Sequence, residues 1–252
     1  MKTETLVFLA ILLTVRAEAQ SVLFDFENAP QYTPLPISLS INGITAHLSA
    51  TGQGYSIQLA NCQGLNPVGF SGLCIYPSSI NAADLVADFS TPLTDFSILY
   101  APEEYACDSS ATMRVTAYLN GALVGTTTTN AQAGTWPTET LQFSSTQIFN
   151  RVVVHYDKGP ITGGDWGPVF MADNMAVTPA PLAPTLQISR TASQIQLTWP
   201  TNTTVFTLQW STNLLNGGSW WTVTDMPVLI GTNETVTLSG ATNHCYYRLK
   251  WP

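Results

Sequence analysis

The sequence predicts an all-β protein built from two β-sandwiches. Short runs rich in Val, Ile, Thr, Phe and Tyr recur along the chain, and clusters of Gly, Pro and Asn separate them. This rhythm of strand and turn is typical of sandwiches and barrels. Helical periodicity is nearly absent beyond residue 20. A proline-rich linker at residues 179–184 divides the chain into a larger segment, residues 20–178, and a smaller one, residues 185–252.

The larger segment contains about ten candidate strands. The best marked are residues 113–119 and 122–126, because Asn120-Gly121 between two alternating apolar runs is a strong hairpin signal. Residues 85–90 and 93–100 are predicted to pair around a turn at Thr91-Pro92. Further strands are predicted at residues 22–26, 43–50, 151–156 and 169–177. In the smaller segment, six short strands are predicted at residues 186–189, 194–199, 205–211, 220–224, 234–239 and 245–250.

The first 19 residues have the form of a cleavable signal peptide. Lys2 precedes an apolar run at residues 6–15, and Ala17-Glu18-Ala19 supplies the small-x-small cleavage pattern, which makes Gln20 the new N-terminus. Ten residues of helix cover roughly 15 Å, about half of a bilayer core. No later stretch has 18 apolar residues. The sequence therefore predicts a secreted or cell-surface protein that does not insert into the membrane once the signal is cleaved.

The charge excludes some classes of partner. Removing residues 1–19 leaves 6 basic and 14 acidic residues, so the net charge of the mature chain stays at −8. Nucleic acids and anionic lipids need cationic counter-charge, which this chain lacks, so no nucleic-acid partner is expected.

Export makes disulfides possible for the four cysteines, Cys62, Cys74, Cys107 and Cys245. Four cysteines allow three pairings, and the spacing selects none of them. Cys74–Cys107 is favoured over Cys62–Cys74 as the bridge of the larger domain. Cys245, in an apolar run with two tyrosines, is predicted to be a small buried thiol.

The smaller segment resembles fibronectin type III modules. The resemblance rests on residues 195–200 (IQLTWP), with the core Trp199, on residues 206–211 (FTLQWS), and on residues 246–249 (YYRL). The chain stops just after the predicted sixth strand, so the family's seventh strand is missing. The resemblance implies an immunoglobulin-like sandwich that spaces or attaches the larger domain.

The larger segment resembles bacterial exported jelly-roll domains related to carbohydrate-binding modules. The matching residues are the opening Phe24-Asp25-Phe26-Glu27 and the closing residues 171–177 (MADNMAV). The resemblance implies that the first and last strands run side by side and that Asp25, Glu27 and Asp173 share a structural Ca²⁺, a cation that takes about six to eight oxygen ligands. The alternative is that Asp25 and Glu27 are ordinary solvent-facing acids between two core phenylalanines.

Four aromatic residues in Pro- and Gly-rich loops are candidates for a glycan-binding surface. They are Tyr32, Tyr105, Trp136 and Trp166. Flat rings can stack on sugar faces while amides bind hydroxyl groups. The alternative is that these rings fold back and cap the ends of the sandwich.

Catalysis is not expected, although the sequence leaves it uncertain. Paired carboxylates of a glycosidase could come from Asp84, Asp88, Glu103, Glu104, Asp108 and Asp165. Nothing in the sequence places two of them at a working separation, and no nucleophile or zinc motif is present. The sequence therefore predicts a secreted binding or surface-associated protein whose first candidate partner is an extracellular polysaccharide or cell-surface glycan. A structural surface protein without a ligand and a glycoside hydrolase are the alternatives.

Overall fold

The computed structural model describes residues 20–51, 54–61, 67–78, 83–102, 112–131, 138–158, 169–181, 184–191, 193–201, 206–214, 219–239 and 245–250. Within these ranges the chain is all β, with seventeen strands and no helix. Accordingly, this part of the chain has no helix long and apolar enough to cross a membrane. The all-β prediction is confirmed. The chain divides into two compact units between residues 180 and 181, and each is described separately below.

The strands of the larger unit are β1 (Val22–Phe24), β2 (Ile37–Ile41), β3 (Ile44–Ala50), β4 (Tyr55–Leu59), β5 (Leu73–Pro77), β6 (Leu85–Pro102), β7 (Thr112–Leu119), β8 (Ala122–Asn130), β9 (Glu139–Lys158) and β10 (Phe170–Pro179). Those of the smaller unit are β11 (Gln187–Arg190), β12 (Gln194–Pro200), β13 (Thr207–Ser211), β14 (Trp221–Thr222), β15 (Val228–Ile230), β16 (Asn233–Ser239) and β17 (Tyr246–Lys250).

Two long strands connect the layers of the larger unit. Sheet I has the order β2-β3-β6-β9-β7-β8 and uses residues 85–89 of β6 with residues 151–154 of β9. Sheet II has the order β4-β5-β10-β6-β9, with β1 also on β10, and uses residues 93–102 of β6 with residues 139–144 of β9. All pairings are antiparallel, and hydrogen bonds join the ten strands into one continuous sheet, which the register shifts of the β6–β9 pair divide into sheets I and II.

The predicted turn at Thr91-Pro92 is therefore wrong. Residues 85–90 and 93–100 are two halves of the single strand β6, and they do not pair with each other. The register shifts between Asp88 and Leu93, where β6 changes sheets. Because Pro92 has no N–H to donate, it fits at this break in the ladder as well as it would fit in a turn.

The core lies between the two sheets. Alternate residues of each strand point inward, as the period of two requires. The fully buried members with the largest side chains are Phe24, Phe26, Leu48, Ile57, Ile75, Leu85, Leu93, Ile98, Tyr100, Phe149 and Phe170. A second buried cluster consists of Ala60, Cys74, Tyr76, Ala101 and Met171. Because these residues of β5, β6 and β10 alternate with inward-facing ones, this cluster belongs to the outer face of sheet II.

Two Asn-Gly turns close the hairpins of sheet I. Asn120 and Gly121 have φ values of +49° and +85° between β7 and β8, which confirms the predicted hairpin. Asn42 and Gly43, with φ values of +48° and +80°, make the same kind of turn between β2 and β3. Positive φ at both central residues is what a two-residue hairpin loop requires.

The smaller unit consists of a four-stranded sheet, β11-β12-β16-β15, and a three-stranded sheet, β14-β13-β17. Its core is formed by Leu197, Trp199, Leu208 and Val236, so Trp199 is the buried tryptophan that the resemblance implied. The short strand β15 was not predicted. Cys245 precedes β17 and is half-buried, so it is less enclosed than predicted.

Candidate functional site

Strands β1 and β10 lie side by side, and their ends bring acidic residues together. The register pairs Phe24 with Met175 and Val22 with Val177. The predicted strand ran to residue 26, but β1 ends at Phe24. Asp25 and Glu27 therefore lie in the turn that follows β1 and not on a strand face. Phe26 between them has a φ of +61° and a buried side chain, and this conformation directs the chain inward. The Asp25 carboxylate accepts a hydrogen bond from the N–H of Glu27 at 3.2 Å.

Asp173 is the buried acid of this region, with 1% of its surface exposed. Its carboxylate accepts hydrogen bonds from the N–H of Asn174 at 2.7 Å and the N–H of Ser71 at 3.3 Å. The pKa of Asp173 is raised to about 6, chiefly by burial and also by the negative charges of Glu27 and Asp25, while the two N–H donors act to lower it. The negative charges of Glu27 and Asp25 thus repel the carboxylate of Asp173 at one edge of sheet II.

The loop at residues 67–72 packs against these acids. The Glu27 carboxylate occupies the space beside Gly72, where a methyl group on the glycine would come within 2.0 Å of a Glu27 oxygen. The Asn174 side-chain amide donates to the carbonyl of Gly69 at 3.1 Å. Gly69 and Gly72 have φ values of +85° and +56°, which non-glycine residues rarely adopt. The loop therefore depends on glycine both for its backbone conformation and for its approach to Glu27.

The donor set at this edge has the chemistry that Ca²⁺ requires. Carboxylate and carbonyl oxygens are its preferred ligands, and the buried charge of Asp173 lacks a cationic partner among the described residues. In the part of the chain that the structure describes, however, no three His, Cys, Asp or Glu side chains are arranged to hold a metal ion. A bound cation would therefore require the carboxylates of Asp25 and Glu27 to turn toward Asp173.

A polar depression lies on the outer face of sheet II. It is lined by Ser21, Asp95, Ser97, Gln142, Ser144, Ala176 and Thr178, with Phe96 beneath. Two cross-strand rows build it. In one row, Ala176 of β10 pairs with Ser97 of β6, which pairs with Gln142 of β9.

The second row runs from Thr178 through Asp95 to Ser144. Small side chains at the centre of both rows leave the sheet surface uncovered. The Asp95 carboxylate accepts a hydrogen bond from the Thr94 hydroxyl at 2.7 Å, which fixes its position. Hydroxyl groups, one amide and one carboxylate therefore form a surface that can donate and accept hydrogen bonds, built from three strands and from Ser21, which precedes β1.

This depression was not predicted, although the sequence contains a signal for it. Small polar residues alternate with buried ones in Asp95-Phe96-Ser97-Ile98 and again in Leu141-Gln142-Phe143-Ser144. Period-two alternation identifies an outer face. It does not show that these segments are neighbours, because that depends on where β6 and β9 change sheets.

The residues predicted to bind glycans are only partly within the described chain. Tyr32 is 70% exposed, so its ring does not cap the sandwich. Its N–H donates to the carbonyl of Ile57 at 2.7 Å, which fixes the backbone at this point. Tyr105, Trp136 and Trp166 lie outside the described residues, and so does Cys107, the predicted disulfide partner of the buried Cys74.

Of the acids considered for hydrolysis, the structure describes Asp84 and Asp88, and each has a basic partner of its own. Asp84 contacts the imidazole of His155, and Asp88 forms a two-bond ion pair with Arg151, both on the outer face of sheet I. Glu103, Glu104, Asp108 and Asp165 lie outside the described residues. Asp84 and Asp88 therefore belong to a partly solvated sheet face and have partners of their own.

Comparisons with known proteins give a distant structural likeness. No protein-family model matches the chain, and no curated protein matches it. The K1 cleaved adhesin domain of Lys-gingipain from Porphyromonas gingivalis W83 is 14% identical, with a TM-score of 0.38, over 64% of this chain and 99% of that one. The K2 adhesin domain of Lys-gingipain is 13% identical, with a TM-score of 0.40, over 63% of this chain and 99% of that one.

The catalytic domain of Agl-KA is 14% identical, with a TM-score of 0.33, over 57% of this chain and 28% of that one. Adhesin domains and a catalytic domain thus occur together among the similar structures. At these TM-scores the likeness carries no argument about function, which has to be argued from the residues themselves.

Proposed function

We propose that this chain is an extracellular, non-catalytic binding protein and that its larger unit binds a neutral polysaccharide in the depression on sheet II. The observation that carries the proposal is the composition of that surface. Ser97, Gln142 and Thr178 offer hydroxyl and amide groups, and Asp95 offers a fixed carboxylate. A polysaccharide presents rows of hydroxyl groups, each both donor and acceptor, so it can pair with every polar side chain that lines the depression.

An anionic ligand fits this surface less well. Asp95 is the single ionised group that lines the depression, and it repels anions. The larger unit also contains 12 acidic and 3 basic residues between positions 20 and 184. Hydrogen bonds donated by neutral hydroxyl groups to a carboxylate are stronger than those between neutral partners. Asp95 thus favours a hydroxyl-rich ligand without negative charge.

Export supports an extracellular site of action. Residues 1–19 carry the charge, apolar run and cleavage pattern of a signal peptide. A structural role without a ligand remains the competing hypothesis. It predicts that filling the depression has no effect on any binding activity, so the experiment below distinguishes the two.

The test is affinity electrophoresis of the full chain in gels that contain neutral polysaccharides, such as glucans, mannans and xylans. Ala176→Arg places a long side chain in the depression and is expected to weaken binding at least tenfold. Leu123→Arg is the control. Leu123 is 66% exposed on β8 of sheet I, so this substitution adds the same charge away from the depression. Equal retardation of the two variants, or no retardation of the wild-type chain by any neutral polymer, would contradict the proposal.

We propose further that Asp25, Glu27 and Asp173 bind a structural Ca²⁺. The support is the buried carboxylate of Asp173, the nearby acids Asp25 and Glu27 that raise its pKa, and the Gly69 carbonyl in the loop that packs against them. A divalent cation would offset this repulsion and tie the chain after β1 to β10 and to residues 67–72. Millimolar Ca²⁺ added to chelator-treated protein is expected to raise Tm, and Mg²⁺ is expected to do so less. No change in Tm with Ca²⁺ would overturn this assignment.

A further inference from the structure

Arg248 on β17 is held in a fixed position on the outer face of the three-stranded sheet. Its guanidinium carbon lies 4.2 Å from the centroid of the Trp220 ring, a cation–π distance. Its Nε–H donates to the side-chain oxygen of Gln209 at 2.9 Å. Gln209 lies on β13, between β17 and β14, and is buried. The arginine side chain therefore extends over the central strand and is fixed at two points.

This arrangement leaves the binding end of the guanidinium available. A guanidinium has about five N–H donors, and the contact with Gln209 uses only Nε–H. Arg248 is an exposed residue of β17, so the N–H groups of both Nη atoms can reach a ligand. A planar, immobilised fork of this kind matches the two oxygens of a carboxylate and loses little side-chain entropy on binding.

A second cation lies on the same face. Lys250 is two residues from Arg248 on β17, so both side chains point to the same side of the sheet, and both are exposed. Arg114 and Arg151 of the larger unit are each paired with an aspartate. Of the ion pairs between described residues, none involves Arg248 or Lys250.

The distribution of charge also singles out this face. Between positions 20 and 184 there are 3 basic and 12 acidic residues, a net charge of −9, whereas positions 185–252 have 3 basic and 2 acidic residues, a net charge of +1. Two of those three basic residues, Arg248 and Lys250, share one strand face. In a strongly acidic protein, this is the part of the surface suited to an anionic ligand.

We propose that the outer face of the three-stranded sheet binds carboxylate groups of an acidic polysaccharide, a polyuronate. Arg248 binds one carboxylate through its two Nη atoms, and Lys250 contacts the next acidic group along the polymer. Gln209 and Trp220 are positioning residues that hold the guanidinium. This site lies in a different unit from the depression on sheet II. It binds an anionic polymer and not a neutral one, so it goes beyond the function proposed above.

The experiment measures binding of the full chain to sodium polygalacturonate by isothermal titration calorimetry at low ionic strength. Fully methyl-esterified polygalacturonate serves as the uncharged polymer. Arg248→Gln is expected to weaken binding at least tenfold. Arg248→Lys keeps the charge but not the fork, so an intermediate loss is expected. Arg190→Gln is the matched control. Arg190 is exposed on β11 of the other sheet of this unit, and the substitution removes the same charge there.

Three outcomes would overturn the proposal. They are absence of wild-type binding to polygalacturonate, equal losses in Arg248→Gln and Arg190→Gln, and undiminished binding to the esterified polymer. Dextran sulfate separates carboxylate recognition from simple charge attraction, since tighter binding of sulfate than of uronate would contradict a carboxylate site. Ala176→Arg, which blocks the depression, is expected to leave polygalacturonate binding unchanged or slightly stronger. The two sites can therefore fail independently.

Discussion

At the scale of single residues, Asp173 is the group whose ionisation has the largest consequence. The folded protein holds its carboxylate at 1% exposure, and its pKa is raised from 3.8 to about 6 because burial and two neighbouring acids disfavour the charge. A carboxyl whose folded pKa is raised binds its proton more tightly in the folded state. Its contribution to stability is therefore complete below pH 3.8 and is lost as the pH rises through about 6.

This linkage predicts a pH-dependent difference between the wild-type chain and Asp173→Asn in the presence of a chelator. A shift of about two pKa units corresponds to roughly 3 kcal/mol. Between about pH 4 and pH 7, the free energy of unfolding of Asp173→Asn minus that of wild type should rise by about that amount. Urea denaturation at several pH values measures it. Glu139→Gln, which removes a half-buried acid on β9, is the matched substitution, and a difference between wild type and Asp173→Asn that stays constant with pH would contradict the account.

Calcium should reverse the order of the two proteins at neutral pH. If Ca²⁺ neutralises the carboxylates, wild type gains stability in proportion to its binding, whereas Asp173→Asn has lost a ligand and gains little. We expect wild type to have the higher Tm in millimolar Ca²⁺ and the lower Tm in chelator. Thermal melts of both proteins under both conditions test this. An unchanged order would count against the calcium site while leaving the pH linkage intact.

At the scale of elements, local rules and long-range geometry separate clearly. The hairpin at Asn120-Gly121 was predictable because its signal is local, and the strand at β3 was predictable from alternation. The change of sheet within β6 was not predictable, because Thr91-Pro92 has the same local character in a turn and in a break between sheets. The depression around Asp95 depends on that change of sheet, so it could not be predicted either.

The β7–β8 hairpin offers a direct measure of how much turn chemistry contributes. Gly121 has a φ of +85°, and a methyl group placed on it would meet no atom within 4 Å. Gly121→Ala therefore adds backbone strain without a steric clash, and we expect a loss of about 1 kcal/mol in the free energy of unfolding. Leu123→Ala, at a 66% exposed position in the same hairpin, should change it by less than about 0.5 kcal/mol. Equal effects of the two substitutions would show that the turn does not limit the stability of the hairpin.

At the scale of the whole molecule, each unit has a core of its own. The core of the larger unit includes Phe149, which is fully buried, and that of the smaller unit is centred on Trp199, which is 2% exposed. The units also differ in net charge. The acidic larger unit is proposed to bind a neutral polymer, and the smaller unit, with a net charge of +1, is proposed to bind an anionic one. Larger domains bury a greater share of their surface on folding than small ones, so the larger unit should be the more stable.

Separate cores predict that the units unfold separately, which also tests the predicted domain boundary at residues 179–184. Removing a large buried side chain costs about 3–5 kcal/mol. Trp199→Ala should therefore abolish or strongly lower the transition of the smaller unit and leave that of the larger unit unchanged. Phe149→Ala should do the reverse, since its ring packs edge-on against Phe143 with centroids 5.3 Å apart. Differential scanning calorimetry of the full chain resolves the two transitions. If either substitution shifted both transitions together, the units would be one cooperative structure. The independence of the two proposed binding sites would then have to be tested with variants in which both units are folded.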